Sequence, residues 1–170
     1  INPPKFDPEV RKKYANASEI QGCIRSQWYA RHEEAGPQDF GFAYRGQTVE
    51  RYVTAALLAS GIDLRLHDDG QSSLVSEDHM ISGTPDGIIV TNEELVGIEI
   101  KSIDPRTNKT KLPKKQHEVQ LQICMALIMD SREKLGLPDL PISHGILMYV
   151  DASNFHDVIE FRVPFRQSIL

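Results

Sequence analysis

The stretch "SGTPDGIIVTNEELVGIEIKS", Ser82 to Ser102, predicts a β-hairpin that carries unexpected charges. Two short apolar runs, GIIV and LVGIEI, flank a polar turn, as two paired strands would. Asp86 nevertheless stands directly before the first strand, and Glu99 and Lys101 lie within the second. Charged side chains on otherwise apolar strands are costly to bury. A functional site is therefore expected at this hairpin.

The hairpin register predicts which charged side chains meet. If Val90 pairs with Leu95 across the turn, Asp86 falls opposite Glu99, and a tighter turn gives the same register. Cross-strand partners have Cβ atoms about 5 Å apart. Because side chains alternate along a strand, Glu99 and Lys101 share one face, whereas the flanking isoleucines point to the other. Two carboxylates and an amine are thus expected within a few ångströms of one another.

This grouping predicts a metal site. Two adjacent carboxylates repel, so without a cation one of them would be driven toward protonation. Oxygen ligands with open water positions suit Mg²⁺ or Mn²⁺. Lys101 can stabilise negative charge that builds on a substrate during attack. The alternative is an exposed hairpin edge with a Glu–Lys pair of little energetic value, but the P-D-G sequence and the apolar flanks favour the metal site.

The "PD" at residues 85–86, a gap of twelve residues and the "EIK" at 99–101 resemble the signature of the PD-(D/E)xK nuclease superfamily. The resemblance implies an α/β restriction-endonuclease-like fold, a mixed β-sheet flanked by α-helices. It also implies that Asp86 and Glu99 bind the metal, with the Ile100 carbonyl as a backbone ligand. Lys101 would then position or activate the attacking water.

Two further motifs resemble particular branches of that superfamily. "GQTVE" (46–50) is similar to the G-x-x-x-E motif of the RecB-like and lambda-exonuclease-like (YqaJ) branches, which implies a metal-binding role for Glu50. "HEVQLQICM" (117–125) is similar to the Q-x-x-x-Y element of RecB-like nucleases. Gln120 would orient the water or the lysine, or contact a phosphate, and His117 on the same helix side is a candidate substrate contact. Cys124 stands where the family has tyrosine.

The cysteines argue against an iron–sulfur cluster. "SEIQGCIRSQWYARH" (18–32) resembles the N-terminal segment of CRISPR-adaptation nucleases, in which a cysteine ligates such a cluster. Of the later cysteine triplet of that family only Cys124 is present here. No iron–sulfur cluster is therefore expected, and one or two Mg²⁺ or Mn²⁺ ions remain the expected cofactor. Two cysteines without a disulfide pattern fit the cytoplasm or another reducing intracellular compartment rather than secretion.

The charge distribution predicts a nucleic-acid contact despite a net charge of −5. Residues 101–115 hold six basic side chains and one acidic one, a local charge of +5, so the remainder carries −10. A basic segment beside clustered carboxylates suits a protein that holds phosphates and their neutralising cations. A solvated lysine-rich loop is the alternative. The predicted nucleic-acid-binding residues are Arg106, Lys109, Lys111, Lys114, Lys115 and His117.

The remaining pattern predicts one domain over residues 1–170. Helices are expected over 18–34, where Ser18 and Gln21 form a capping-box pattern, over 42–60 and over 115–134. Two strands, 145–153 and 157–165, close the chain. The longest apolar run, "ICMALIM", is too short to span a bilayer. P-loop, G-x-S-x-G and H-E-x-x-H motifs are absent from the sequence.

Together these features predict a hydrolase, a metal-dependent DNA nuclease. The branch resemblance favours an exonuclease that processes duplex ends or single strands in recombination or repair. An endonuclease of the same chemistry on DNA or RNA, and a non-catalytic nucleic-acid-binding module, are the alternatives. The expected partners are DNA and either further copies of the chain or a larger helicase or recombination assembly, with no membrane contact.

Overall fold

The computed structural model describes residues 8–32, 40–67, 71 and 73–166. The helices are α1 (Pro8–Lys13), α2 (Ile24–His32), α3 (Phe40–Ala59) and α4 (Lys115–Ser131). The short strands are β1 (Ala15–Asn16), β2 (Leu64–Arg65), β3 (Leu74–Ser76), β4 (Ile81–Gly83) and β5 (Gly87–Val90). The long strands are β6 (Leu95–Ile103), β7 (Ile142–Asp151) and β8 (Asn154–Pro164). None of the helices in these ranges combines the length and apolar character that a membrane span requires.

A mixed five-stranded sheet forms the centre of the fold, in the order β2-β5-β6-β7-β8. Its two central strands, β6 and β7, run parallel, and the other pairs are antiparallel. Parallel neighbours need a long crossover connection, and here the segment that contains α4 supplies it. A smaller sheet has the order β1-β4-β3. The predicted α/β class with a mixed sheet and flanking helices is confirmed.

Both faces of the central sheet are covered. On one face α3 packs through Val49 and Val53 onto Ile98 and Ile100 of β6. On the other face lies α4, whose residues 121–128 are all buried. The second face therefore holds the larger apolar cluster, and the side chains of β6 that face α4 include Glu99 and Lys101 as well as apolar ones.

Two glycines allow α4 to lie close to the sheet. A Cβ on Gly145 would lie 2.9 Å from both δ-carbons of Leu121 and 3.0 Å from the Gly97 carbonyl oxygen. We expect Gly145→Ala to lower the free energy of unfolding by about 2 kcal/mol, because overpacking forces the helix away. Thermal unfolding followed by circular dichroism should show a Tm about 6 °C lower. Gly46→Ala in α3 is the matched control.

A Cβ on Gly46 meets no atom within 4 Å, and alanine is favoured over glycine inside a helix. The Gly46→Ala variant should therefore be at least as stable as the wild type. A Gly145→Ala variant with unchanged Tm would contradict this description of the helix–sheet packing.

The predicted first helix is wrong at its start, because α2 begins only at Ile24 and residues 17–21 form turns. Ser18 caps no helix: its N–H and hydroxyl bond to Oδ1 of Asn16 at 3.0 and 2.8 Å. Such local side-chain bonds compete with helix formation. Residues 33 and 34 lie outside the described residues. The residues of the predicted apolar stripe are all exposed to solvent: Ile20, Cys23, Ile24 and Trp28.

The other predicted elements are present with small shifts. The second predicted helix is α3, and the third is α4, which ends at Ser131 rather than Lys134. The two closing strands are β7 and β8, both longer than predicted. These elements place the hairpin β5–β6 between two helices, where a buried site can form.

Candidate active site

The β5–β6 hairpin has the predicted register. Gly87 pairs with Ile98 and Val90 with Leu95, so the residue before β5, Asp86, lies opposite Glu99. The regular backbone pairing of β5 with β6 ends at Gly87. Beyond it, the Asp86 carboxylate takes the place of a backbone acceptor. Its Oδ2 atom accepts the backbone N–H of Ile100 at 2.8 Å. This bond fixes one oxygen of Asp86 and leaves the other available.

Glu99 is the most unusual charged residue of the described chain. Its side chain has no solvent exposure, and the ammonium of Lys101 contacts its Oε1 atom in an ion pair. Among the described residues no group gives either oxygen of Glu99 a hydrogen bond of good geometry. Buried carboxylates are normally well supplied with donors. The free acceptor capacity of Glu99 suits a cation.

The pKa shifts of Asp86, Glu99 and Lys101 indicate a group that additional positive charge would stabilise. Burial and the nearby charge of Glu99 raise the pKa of Asp86 well above its ordinary value. Burial also raises the pKa of Glu99, although the Lys101 ammonium opposes it. Burial alone would lower the pKa of Lys101, but Glu99 and Asp86 outweigh it and raise that pKa. The lysine therefore stays charged, while burial disfavours the charged form of both carboxylates.

Glu50 approaches this pair from α3. Its side chain is half-buried, as expected at the border of the Val49 and Val53 stripe, and its charge raises the pKa of both Asp86 and Glu99. The Gln71 amide donates to its Oε1 atom at 2.7 Å. In the part of the chain that the structure describes, no three His, Cys, Asp or Glu side chains form one ready ligand cluster. Glu50 thus lies near the pair without joining it in such a cluster.

The donor chemistry nevertheless fits a hard divalent cation. Asp86 and Glu99 offer carboxylate oxygens, and beyond the Lys101 ion pair no described group donates to the buried oxygens of Glu99. Mg²⁺ is bound in proteins through one or two carboxylates and several waters. A pair of carboxylates, supplemented by Glu50, is therefore a sufficient protein contribution.

The face of α4 that lies over this group carries the other predicted residues. Cys124 is buried, and burial together with Glu99 and Asp86 raises the pKa of its thiol. Gln120, one turn earlier, and His117 are half-buried. Burial, together with the nearby charges of Lys101 and Lys114, lowers the pKa of His117. The structure therefore places these residues of α4 on the side of the helix that faces the charged end of β6.

The basic loop, residues 104–115, is partly neutralised by its own acidic partners. Arg106 bonds to Asp104 at 2.8 Å, and Lys109 contacts Asp157 directly and Asp151 at 3.7 Å. The Lys115 ammonium lies 3.6 Å from Glu118. Lys111 and Lys114 are exposed. Four of the five predicted basic residues thus lie on the segment before α4, and Lys115 is the first residue of α4. They differ in how much of their charge is free for a ligand.

Three residues that form hydrogen bonds with the site or support α4 were not predicted from the sequence. Gln71 bonds to Glu50, and Tyr149 of β7 bonds through its hydroxyl to the backbone N–H of Lys114 at 3.0 Å and to His117 at 2.8 Å. Gln122 of α4 accepts the Arg166 N–H at 2.9 Å. These contacts link residues 21 to 44 positions apart, so no local pattern contains them. The sequence indicates two of these residues, Gln122 and Tyr149, only by a polar group within an apolar run.

Comparison with known proteins identifies solved structures of similar fold. No protein-family model matches the chain, and no curated protein matches it significantly. The solved structure titled SSO0001 matches over 92% of this chain and 70% of that chain, with a TM-score of 0.61 and 18% identity. An alkaline exonuclease, LHK-Exo from Laribacter hongkongensis, matches over 95% of this chain and 82% of that chain, with a TM-score of 0.57 and 17% identity. The chain thus shares the fold of these two structures, and its mixed α/β architecture is that of the restriction-endonuclease-like fold.

Proposed function

We propose that the protein is a nuclease that hydrolyses phosphodiester bonds of DNA with the help of Mg²⁺ or Mn²⁺. The observation that carries this proposal is the pairing of Asp86 with Glu99 at the start of β5, with Lys101 in contact with the buried Glu99. Two buried carboxylates that share one lysine cost stability, and a cation-dependent reaction explains why the pair is tolerated. The structural similarity to an alkaline exonuclease supports the same conclusion.

Each residue has a distinct task in this proposal. Asp86 and Glu99, with Glu50 and the Ile100 carbonyl, would hold the cation, which when bound polarises the phosphodiester and lowers the pKa of water. Lys101 keeps its proton, because its pKa is raised by both carboxylates. It therefore stabilises negative charge on the phosphate by a fixed positive charge. Gln120, on the face of α4 above, would orient the water or contact the phosphate.

The basic loop would hold the nucleic-acid backbone beside these residues. Lys111 and Lys114 are exposed and therefore available to phosphates, whereas Arg106, Lys109 and Lys115 would exchange their acidic partners for them. Contacts of this kind bind the backbone without reading the base sequence. Binding should consequently weaken steeply with increasing salt.

The similarity to an alkaline exonuclease favours an exonuclease over an endonuclease. Such an enzyme would remove nucleotides from duplex ends or single strands during recombination or repair. Assembly with further copies of the chain, or with a larger recombination complex, belongs to the same proposal.

A cleavage assay tests both the activity and its mode. Labelled linear duplex, single-stranded and closed circular DNA are incubated with the protein in Mg²⁺, in Mn²⁺ and in EDTA. We expect metal-dependent loss of nucleotides from the linear substrates and intact circles. Glu99→Gln, which keeps the shape of the side chain, is the inactive control.

Cleavage of closed circles would overturn the exonuclease assignment. Cleavage that persists in EDTA or in the Glu99→Gln variant would overturn the assigned site. Binding of DNA without any cleavage in either metal would identify a nucleic-acid-binding module in place of an enzyme.

A further inference from the structure

The buried hydroxyl of Tyr149 connects the sheet with the start of α4. Tyr149 stands opposite Lys101 in the parallel register of β6 and β7 and has no solvent exposure. Its hydroxyl oxygen accepts the backbone N–H of Lys114 at 3.0 Å. It also lies 2.8 Å from Nδ1 of His117, the third residue of α4. One hydroxyl thus serves two partners at the edge of the candidate site.

The hydrogen bonds of the Tyr149 hydroxyl determine which tautomer His117 adopts. The hydroxyl has one proton to donate, and its contact with Lys114 uses it as an acceptor. If His117 donated from Nδ1, the hydroxyl would accept twice, and its own proton would have no partner among the described residues. A buried donor without a partner is unfavourable. Tyr149 therefore donates to Nδ1, and the remaining proton of the neutral imidazole sits on Nε2.

The surroundings of His117 keep its imidazole neutral. Burial and the positive charges of Lys101 and Lys114 lower its pKa to about 4. The side-chain amide nitrogen of Gln116 lies 3.2 Å from Nε2. Because Gln116 is exposed, its amide can rotate and present its oxygen to the Nε2–H. A phosphate can replace this exposed amide at Nε2, where the half-buried His117 offers an N–H donor in a positively charged environment. A phosphate oxygen is the complementary acceptor.

We propose that Tyr149 is a positioning residue that fixes His117 in the Nε2–H tautomer, so that His117 donates a hydrogen bond to a non-bridging phosphate oxygen of the substrate. The inference rests on the proposed nuclease function. It adds a neutral hydrogen-bond donor, His117, to the charged Lys101 in that site. The charge of Lys101 and the N–H donor of His117 can therefore be removed in separate variants.

Substitutions at position 117 test the donor. The amide nitrogen of glutamine overlays Nε2 of histidine, whereas that of asparagine overlays Nδ1. His117→Gln should keep kcat/KM for DNA cleavage within about threefold of the wild type. His117→Asn should lose about tenfold or more, as expected for one hydrogen bond to a charged group. Equal losses in the two variants would overturn the assignment of the donor to Nε2.

Nitrogen-15 NMR of the histidine rings tests the positioning role of Tyr149 without substrate. Failure of the protein to cleave DNA would therefore count against the nuclease proposal and would not affect this test. Wild-type His117 should show the Nε2–H tautomer between pH 6 and 8, and Tyr149→Phe should convert it to a mixture and lower kcat about tenfold. Tyr14→Phe, which removes a buried hydroxyl that bonds to Glu77, is the matched control and should change neither. An Nδ1–H tautomer in the wild type, or an unchanged His117 in Tyr149→Phe, would overturn the proposal.

Discussion

Replacing Asp86 by asparagine should abolish cleavage while making the metal-free protein more stable. Asparagine keeps an oxygen that can accept the Ile100 N–H but removes one of the two opposed negative charges. A carboxyl whose pKa is raised in the folded state binds more protons there than in the unfolded state. Its folded form is therefore destabilised increasingly as pH rises above the ordinary carboxyl range. At pH 8 in EDTA we expect a gain of about 1 kcal/mol, or about 3 °C in Tm.

The gain should shrink as pH falls toward 4, where the wild-type carboxyl is also neutral. Thermal unfolding of both proteins at several pH values measures it, and a cleavage assay in Mg²⁺ measures the loss of activity. Asp104→Asn is the matched control, because Arg106 lowers the pKa of that exposed carboxyl to about 2. The Asp104→Asn variant should remain active and should not become more stable. An Asp86→Asn variant that is active, or less stable at pH 8, would contradict the assigned role.

Replacing Lys101 by methionine should reduce both activity and stability. The change leaves the buried Glu99 without its counter-charge, and breaking a buried ion pair costs about 3–5 kcal/mol. Without the lysine the pKa values of Glu99 and Asp86 rise further, so the loss of stability should be largest at pH 8 and smaller near pH 5. The cleavage rate should fall by about 100-fold or more, because a fixed charge at the phosphate is removed.

Added Mg²⁺ should restore much of the stability of Lys101→Met but little of its activity, since the cation replaces the missing charge beside Glu99 and not the contact with substrate. Lys13→Met is the matched control, because Lys13 and Glu77 form an ion pair on the surface. That variant should resemble the wild type. Equal effects of the two substitutions would show that the Lys101 pair is an ordinary surface ion pair.

The hairpin was predictable because its determinants are local. The turn at residues 91–94 and the alternation of side chains set the register, and the structure has that register between Gly87 and Val90. The fold class followed from the same stretch and from the order of the helices and strands. The full burial of Glu99 was not predictable, because it depends on α4 packing over the face that β6 shares with β7.

The first helix shows where local patterns mislead. A serine three residues before a glutamine is a common helix start, yet here the side chain of Asn16 binds Ser18 and holds the chain in a turn. The apolar residues that follow are spaced as in an amphipathic helix, but Ile24 and Trp28 are exposed, at 82% and 53%. Spacing predicts which residues share a face, and only packing decides whether that face is covered.

The supporting contacts of the site depend on distant pairs. Gln71 reaches Glu50, and Tyr149 reaches His117, across 21 and 32 residues. The acidic partners of Lys109 come from the last residue of β7 and from β8, so the net charge of the basic loop cannot be read from its own sequence. The sequence identifies the candidate catalytic groups, and the fold decides which neighbours surround them.

Calorimetric titration of the protein with Mn²⁺ tests whether Asp86 and Glu99 form a divalent-cation site. If they do, the wild type should take up Mn²⁺ with measurable heat near neutral pH. Asp86→Ala should abolish this uptake, while Asp104→Asn should leave it unchanged. Uptake that persists in Asp86→Ala, or no uptake in the wild type, would contradict the account.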